Sequence, residues 1–202
     1  MENKNGTTND IFSGEESLNV INMMIAQARG NLARGEGKYF ILWGYLIAAI
    51  SIGHFILFQT KTADPWQVYG LLWIGFLVAG IVPTVIFAIR DSKKQKVRTY
   101  ADNVISTVWI TFGVCAISAS VLIGGSFLNY PVITLLYTFA LAVSATAYRF
   151  RWMFACVAVT ALCVIAYRFV GNSWYPLVMA VAMIAGNVVP GHIINKKAKS
   201  YV

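Results

Sequence analysis

The feature that most constrains this chain is the recurrence of long apolar runs. There are six, each close to the ~20 residues a helix needs to cross a hydrocarbon layer about 30 Å thick. They extend from Tyr39 to Phe58, Trp66 to Ile89, Val104 to Ile123, Tyr130 to Tyr148, Trp152 to Val170 and Trp174 to Ile194. Each is continuously apolar, whereas the strands of a membrane barrel alternate. A chain in lipid must also satisfy its own backbone hydrogen bonds, so the runs predict helices. Composition agrees, with 12% charged residues and a mean hydropathy of +0.64, far from the roughly one quarter charged of a soluble domain. The expected fold is all-α: a polytopic bundle of six transmembrane helices over residues 38–195, preceded by a cytoplasmic amphipathic helix.

The distribution of basic residues sets the expected orientation. Of the 16 Lys and Arg, all but Lys61 and Arg168 fall on one side of the six runs. They occupy the N-terminal segment (Lys4, Arg29, Arg34, Lys38), the loop after the second run (Arg90, Lys93, Lys94, Lys96, Arg98), the next loop on that side (Arg149, Arg151) and a basic tail at 196–202. The positive-inside rule assigns that side, and both termini, to the cytoplasm. The net charge of +8 is then mainly a topology signal and not a nucleic-acid footprint, which would need a basic cluster on a water-exposed fold. The cluster from Arg90 to Arg98 also suits contact with anionic lipid headgroups.

The six runs form three hairpins of like orientation. Each returning run begins with an aromatic residue and a proline, namely Pro65 with Trp66, Tyr130 with Pro131, and Trp174 and Tyr175 with Pro176. A proline in the first turn of a helix forfeits little, because its missing N–H has no partner there anyway. Ala79–Pro83 also resembles Ala185–Pro190. Convergent demand for small residues and interface anchors explains this somewhat better than internal duplication, and two-helix units repeated in parallel give no support for an inverted-repeat transporter. Small residues spaced three or four apart predict close helix packing: Gly44 and Ala48, Ala49 and Gly53, Gly75 and Ala79, Ala116 with Ser120 and Gly124, Ala140 and Ser144, Ala182 and Gly186. Some of these faces suit a homo-oligomer instead. Pro83 predicts a kink in the second helix, with Thr84 placed to help satisfy a released carbonyl.

Ahead of the first run, residues 1–12 are polar, lack the apolar stretch of a secretory signal, and read as a mobile tail. Residues 13–37 read as an amphipathic helix with a Gly-rich linker. Ser13 and Glu16 form a capping box, and Leu18, Ile21, Ile25, Ala28 and Leu32 make a heptad-like seam. Such a helix lies on the bundle or the inner leaflet, or docks a cytoplasmic protein partner.

The search for chemistry is informative through absence. All eight acids (Glu2, Asp10, Glu15, Glu16, Glu36, Asp64, Asp91, Asp102) lie outside the runs, which disfavours pumping through an acidic relay. No nucleophile and base stand at a recognisable spacing, so no catalytic residue is assigned and the chain is expected not to be an enzyme. Cys115, Cys156 and Cys163 sit inside apolar runs and suggest neither a disulfide framework nor a metal site. His54 and His192 belong near opposite ends of their runs, about 20 Å apart by helix rise, and do not suit a shared haem; no cofactor is expected. Three intramembrane polar residues remain as candidate ligand-binding positions: His54, Arg168 and Asn187. The plainer explanations are the stronger: Arg168 can snorkel, His54 can hydrogen-bond at the interface, and Asn187 can hydrogen-bond a neighbouring helix.

Several motifs together resemble a group of small, uncharacterised six-helix bacterial inner-membrane proteins. They are Glu16–Leu18, Leu42–Tyr45 opening the first run, Lys94–Tyr100 in the basic loop, Tyr130 with Pro131, and the Pro190–His192 ending. No activity is assigned to that group. The resemblance implies an inner-membrane location and carries over no site residue. Two functional expectations follow from the residues. One is a non-enzymatic membrane sensor or scaffold acting through the N-terminal helix and the basic loop. The alternative is a small-molecule or ion transporter or channel.

Overall fold

The computed structural model describes residues 18–20, 36–60, 65–94, 100–148 and 150–200. These are helices α1 (Glu36–Thr60), α2 (Pro65–Lys94), α3 (Tyr100–Ile123), α4 (Asn129–Tyr148), α5 (Met153–Ala166), α6 (Tyr175–Met183) and α7 (Val189–Ser200). A π-helical turn, Ile184–Val188, joins α6 to α7 without a break, and a 3₁₀ turn, Asn172–Trp174, leads into α6. No strand occurs among the described residues. The tail at 1–12 and most of the amphipathic helix expected over 13–37 lie outside them; Leu18–Val20 is helical.

Five stretches are long and apolar enough to cross a membrane: 37–60, 70–93, 102–123, 129–148 and 172–196. The fifth apolar run differs from its expected span of 152–170, because only Met153–Ala166 is regular α-helix. Fourteen residues rise about 21 Å, short of a ~30 Å layer. Its ends continue as tighter turns. Met153 N–H bonds to Phe150 O at 3.0 Å, and Arg168 and Phe169 N–H bond to Ile165 O and Ala166 O, both at 3.0 Å. Such i→i−3 turns rise about 2 Å per residue and lengthen the helical path at both ends.

Prolines open the returning helices, with Pro65 at the start of α2, Pro131 in the first turn of α4 and Pro176 in that of α6. At the far end of α3, Gly124 takes φ +66°, a conformation costly for any residue with a Cβ, and its N–H reaches back to Ser120 O at 3.0 Å. Asn129 Nδ2 then donates to Gly124 O at 2.6 Å, fixing the turn into α4.

In the bundle, α1 packs on α2 along one side and on α6, the π turn and α7 along the other; α4 packs on α3, α5 and α6, and α5 also meets α6. The core therefore lies among α1, α4, α5 and α6, where Leu141, Ala145, Met153, Met179, Ala182 and Met183 are fully buried. Helices α2 and α3 stand at the edges, with Leu71, Ile74, Val78, Ile110, Val114, Val121 and Leu122 exposed. In water such surface would aggregate; it suits a hydrocarbon environment.

The small-residue faces divide into two kinds. Gly44, Ala48, Ala140, Ser144, Ala182 and Gly186 are buried between helices. A Cβ on Gly44 would stand 2.7 Å from that of Asn187, and one on Gly186 would stand 2.7 Å from the Tyr137 ring. Ala49, Gly75, Ala79 and Gly124 are instead exposed, and nothing lies within 4 Å of a Cβ placed on Gly53 or Gly75. Helix α2 runs through Pro83 as one element. The Thr84 hydroxyl donates to Gly80 O at 2.7 Å, one residue beyond the Ala79 carbonyl that proline releases, and accepts from Trp43 Nε1 at 3.0 Å. The Trp43 indole lies against Gly80, so a single tryptophan locks α1 to α2.

Candidate functional site

Helix α4 carries a buried polar seam. Tyr130, Thr134, Tyr137, Ser144 and Tyr148 recur at helical spacing on its inward face, each at most 3% exposed. Hydroxyls in an apolar interior must find partners; neighbouring helices supply them for Tyr130, Thr134 and Tyr137, and Ser144 donates to Ala140 O of its own helix at 2.8 Å. On α1, His54 Nδ1 lies 3.1 Å from Tyr130 Oη. Thr134 donates to Tyr130 O at 2.7 Å and shares a 3.0 Å hydrogen bond with the hydroxyl of Tyr167, just past α5. The Tyr167 ring meets that of Tyr175 on α6 edge-on at 4.9 Å. Deeper in the bundle, Tyr137 Oη donates to Asn187 Oδ1 at 2.9 Å, and Asn187 Nδ2 reaches the Met183 sulfur at 3.7 Å. Asn187 occupies the π turn, whose wide backbone sets it between Gly44 on one side and α4 on the other.

His54 and Asn187, two of the three expected ligand-binding positions, are thus buried and held by tyrosines of the same helix. Arg168 is exposed at the end of α5 and is not among the partners of His54; Tyr167, its neighbour, joins the seam instead. His192 is exposed and bonds to Tyr45 at 3.3 Å, so the two histidines serve different tyrosines. Among the described residues no three His, Cys, Asp or Glu side chains draw together as a metal site would require. The sequence reading missed Tyr130, Thr134, Tyr137 and Tyr167. The signal for the three on α4 was the helical spacing of hydroxyls at 130, 134 and 137; Tyr167 had none.

The second locus is at the basic end of the bundle. Lys38 opens α1 and Asp91 closes α2, and antiparallel packing brings them to 2.7 Å. Tyr39 Oη donates to the other carboxylate oxygen at 2.9 Å, and the Lys38 ammonium sits 5.0 Å from the Phe87 ring centre. Both oxygens of this carboxylate are thereby engaged by residues of α1. Of the basic loop, Arg90 and Lys93 are exposed, and the Lys94 backbone ends α2. Lys96 and Arg98 lie outside the described residues. Val85, Ala88, Ile89, Ser92 and Lys93 share one exposed face of α2.

Fold and site together define a class: an all-helical protein with the architecture of a multi-pass membrane protein. No protein-family model, curated protein or solved structure matches the chain, so the resemblance to six-helix bacterial proteins rests on its motifs alone.

Proposed function

We propose that this is a six-crossing protein of the bacterial cytoplasmic membrane, both termini inside, that works without catalysis as a membrane scaffold or sensor through its N-terminal helix and basic loop. The observation that carries the reading is the clasp of Lys38, Tyr39 and Asp91. It ties the first residues after the N-terminal segment to the first residues of the basic loop. Two cytoplasmic elements far apart in sequence thus issue from one spot, where a cytoplasmic protein can engage both. The 14 basic residues on one side support the orientation, and Lys61 and Arg168 alone oppose it.

The conduit reading has less support. A pathway needs polar groups facing open space, whereas His54 and Asn187 meet tyrosines and Arg168 faces outward. The test is amine-reactive cross-linking in intact membranes, comparing the full chain with a form lacking residues 1–35 and with Asp91→Asn. A cytoplasmic protein joined to the full chain, lost from the shortened form and reduced by Asp91→Asn, is expected. Identical cross-links in all three would overturn the proposal.

A further inference from the structure

We infer that the outward face of α3 is the interface with a second copy of this chain, the two helices lying parallel so that Thr107, Thr111 and Ser118 meet their own counterparts. Among the described residues α3 packs extensively on α4 and on no other helix, and it is the least buried of the five membrane-length stretches. Trp109 and Phe112 turn toward Tyr137 of α4. About half a turn away stand Thr107, Thr111, Val114, Ser118 and Val121, spaced alternately four and three residues apart and all exposed. That spacing keeps one stripe turned outward for about 20 Å.

What sets this stripe apart is its chemistry. Between Leu71 and Ile89 every exposed residue of α2 is apolar or glycine, and between Phe154 and Ile165 every exposed residue of α5 is apolar. Lipid tails solvate such faces as well as another helix does. Helix α3 instead exposes hydroxyls at Ser106, Thr107, Thr111 and Ser118. Thr107 donates to Asn103 O at 2.8 Å, whereas the Thr111 and Ser118 hydroxyls have no hydrogen-bond partner among the described residues. Hydrocarbon offers them none, and a facing helix does. A hydroxyl both donates and accepts, so the stripe complements itself. Two copies inserted in one orientation are related by a two-fold axis along the membrane normal, which makes their α3 helices parallel and sets Thr111 against Thr111 and Ser118 against Ser118. The small residues that spacing singles out on this helix, Ala116 and Ser120, lie on its other side; both are half-buried, and Ser120 donates to Ala116 O at 2.8 Å.

This inference rests on the membrane reading above, and the experiment scores the two separately. Resistance of the full chain to extraction from membranes by alkaline carbonate tests insertion. Oxidative cross-linking of single cysteines in the same membranes, in a background lacking the native cysteines, tests the interface. Disulfide-linked homodimers are expected for Thr111→Cys and Ser118→Cys, and not for Val78→Cys on α2 or Leu162→Cys on α5, which are equally exposed. Dimerisation in vesicles, followed by energy transfer between labelled copies as lipid is added, should weaken about threefold for Thr111→Val and about threefold for Ser118→Ala, and stay unchanged for Val78→Ala. Equal cross-linking at all four positions, as random collision gives, would overturn the interface while leaving insertion standing. So would absence of dimers at 111 and 118, as a lipid-covered face gives, a cross-link to a different protein, or dimerisation unaltered in both hydroxyl variants. Release by carbonate would overturn the membrane reading itself.

Discussion

Gly44→Ala tests the closest helix contact in the bundle with a single methyl group. A Cβ at this position would lie 2.7 Å from Asn187 Cβ, 2.8 Å from Val188 Cγ2 and 3.0 Å from the Val188 backbone nitrogen, where ordinary contact begins at 3.4 Å. Two of these three atoms are backbone or bonded directly to it, so rotamer changes cannot clear the space. Either α1 backs away from the π turn by several tenths of an ångström or the turn itself deforms. Overpacking of this kind costs about 1–3 kcal/mol, against which a helical glycine exchanged for alanine returns about 0.5–1 kcal/mol; Gly44→Ala should therefore fall about 1–3 kcal/mol below a glycine-to-alanine exchange made in open space. Gly53→Ala and Gly75→Ala are the controls, since nothing lies within 4 Å of a Cβ at either. Reversible unfolding in mixed micelles of increasing SDS fraction, followed by tryptophan fluorescence, should show Gly44→Ala destabilised and both controls unchanged or slightly more stable. Equal stability of Gly44→Ala and Gly53→Ala would refute the close approach of α1 to the turn.

Three further outcomes are expected. Tyr137→Phe removes the donor to Asn187 and should cost about 0.6 kcal/mol, the average for an intramembrane hydrogen bond, in the same unfolding assay; an unchanged midpoint would mean the bond contributes nothing. Lys38→Met should cost about 0.5–1 kcal/mol at low salt and less as salt rises, because the paired side chains are 32% and 30% exposed and so open to screening. Single cysteines replacing Ser92, Arg151 and Asn172, in a background lacking the native cysteines, should react with an impermeant maleimide from the cytoplasmic side, the cytoplasmic side and the outer side respectively; Arg151 and Asn172 reacting from one side would show that the fifth apolar run does not cross.

The sequence was most readable where burial in lipid leaves one solution. Continuous apolar runs permit only helices, and an opening proline fits only a first turn, so α1 to α4 emerge close to their expected bounds. The fifth run was less readable, since hydropathy measures composition and is blind to whether each turn closes on the fourth or the third residue back. Packing was legible only in kind. The pairs at Gly44 and at Gly75 look alike in sequence, yet the first meets a helix and the second is open, because spacing along one helix does not say which helix stands opposite. The same limit hid the seam on α4. The polar character of His54 and Asn187 was plain, but their shared dependence on Tyr130 and Tyr137 needed the order of helices in space. The segments Ala79–Pro83 and Ala185–Pro190 differ in one respect that was visible from the start: the second is one residue longer, and it is the one that takes the π turn.

That additional residue fixes the phase of everything beyond it. Each residue in a helix advances the face by about 100°, so the wide turn rotates α7 relative to an uninterrupted continuation of α6. In the rotated setting Gly191 lies against Ile41 and the Gly37 carbonyl, where an added Cβ would stand only 2.7 and 2.9 Å from them, while His192 and Lys196 are exposed. Straightening the turn to ordinary α-helix with every residue kept would carry Pro190 into the slot that admits only a hydrogen atom, whereas removing one residue as well would leave Gly191 there. The match between this segment's length and its wide turn is therefore as much a part of the fold's specification as the identity of any side chain in it.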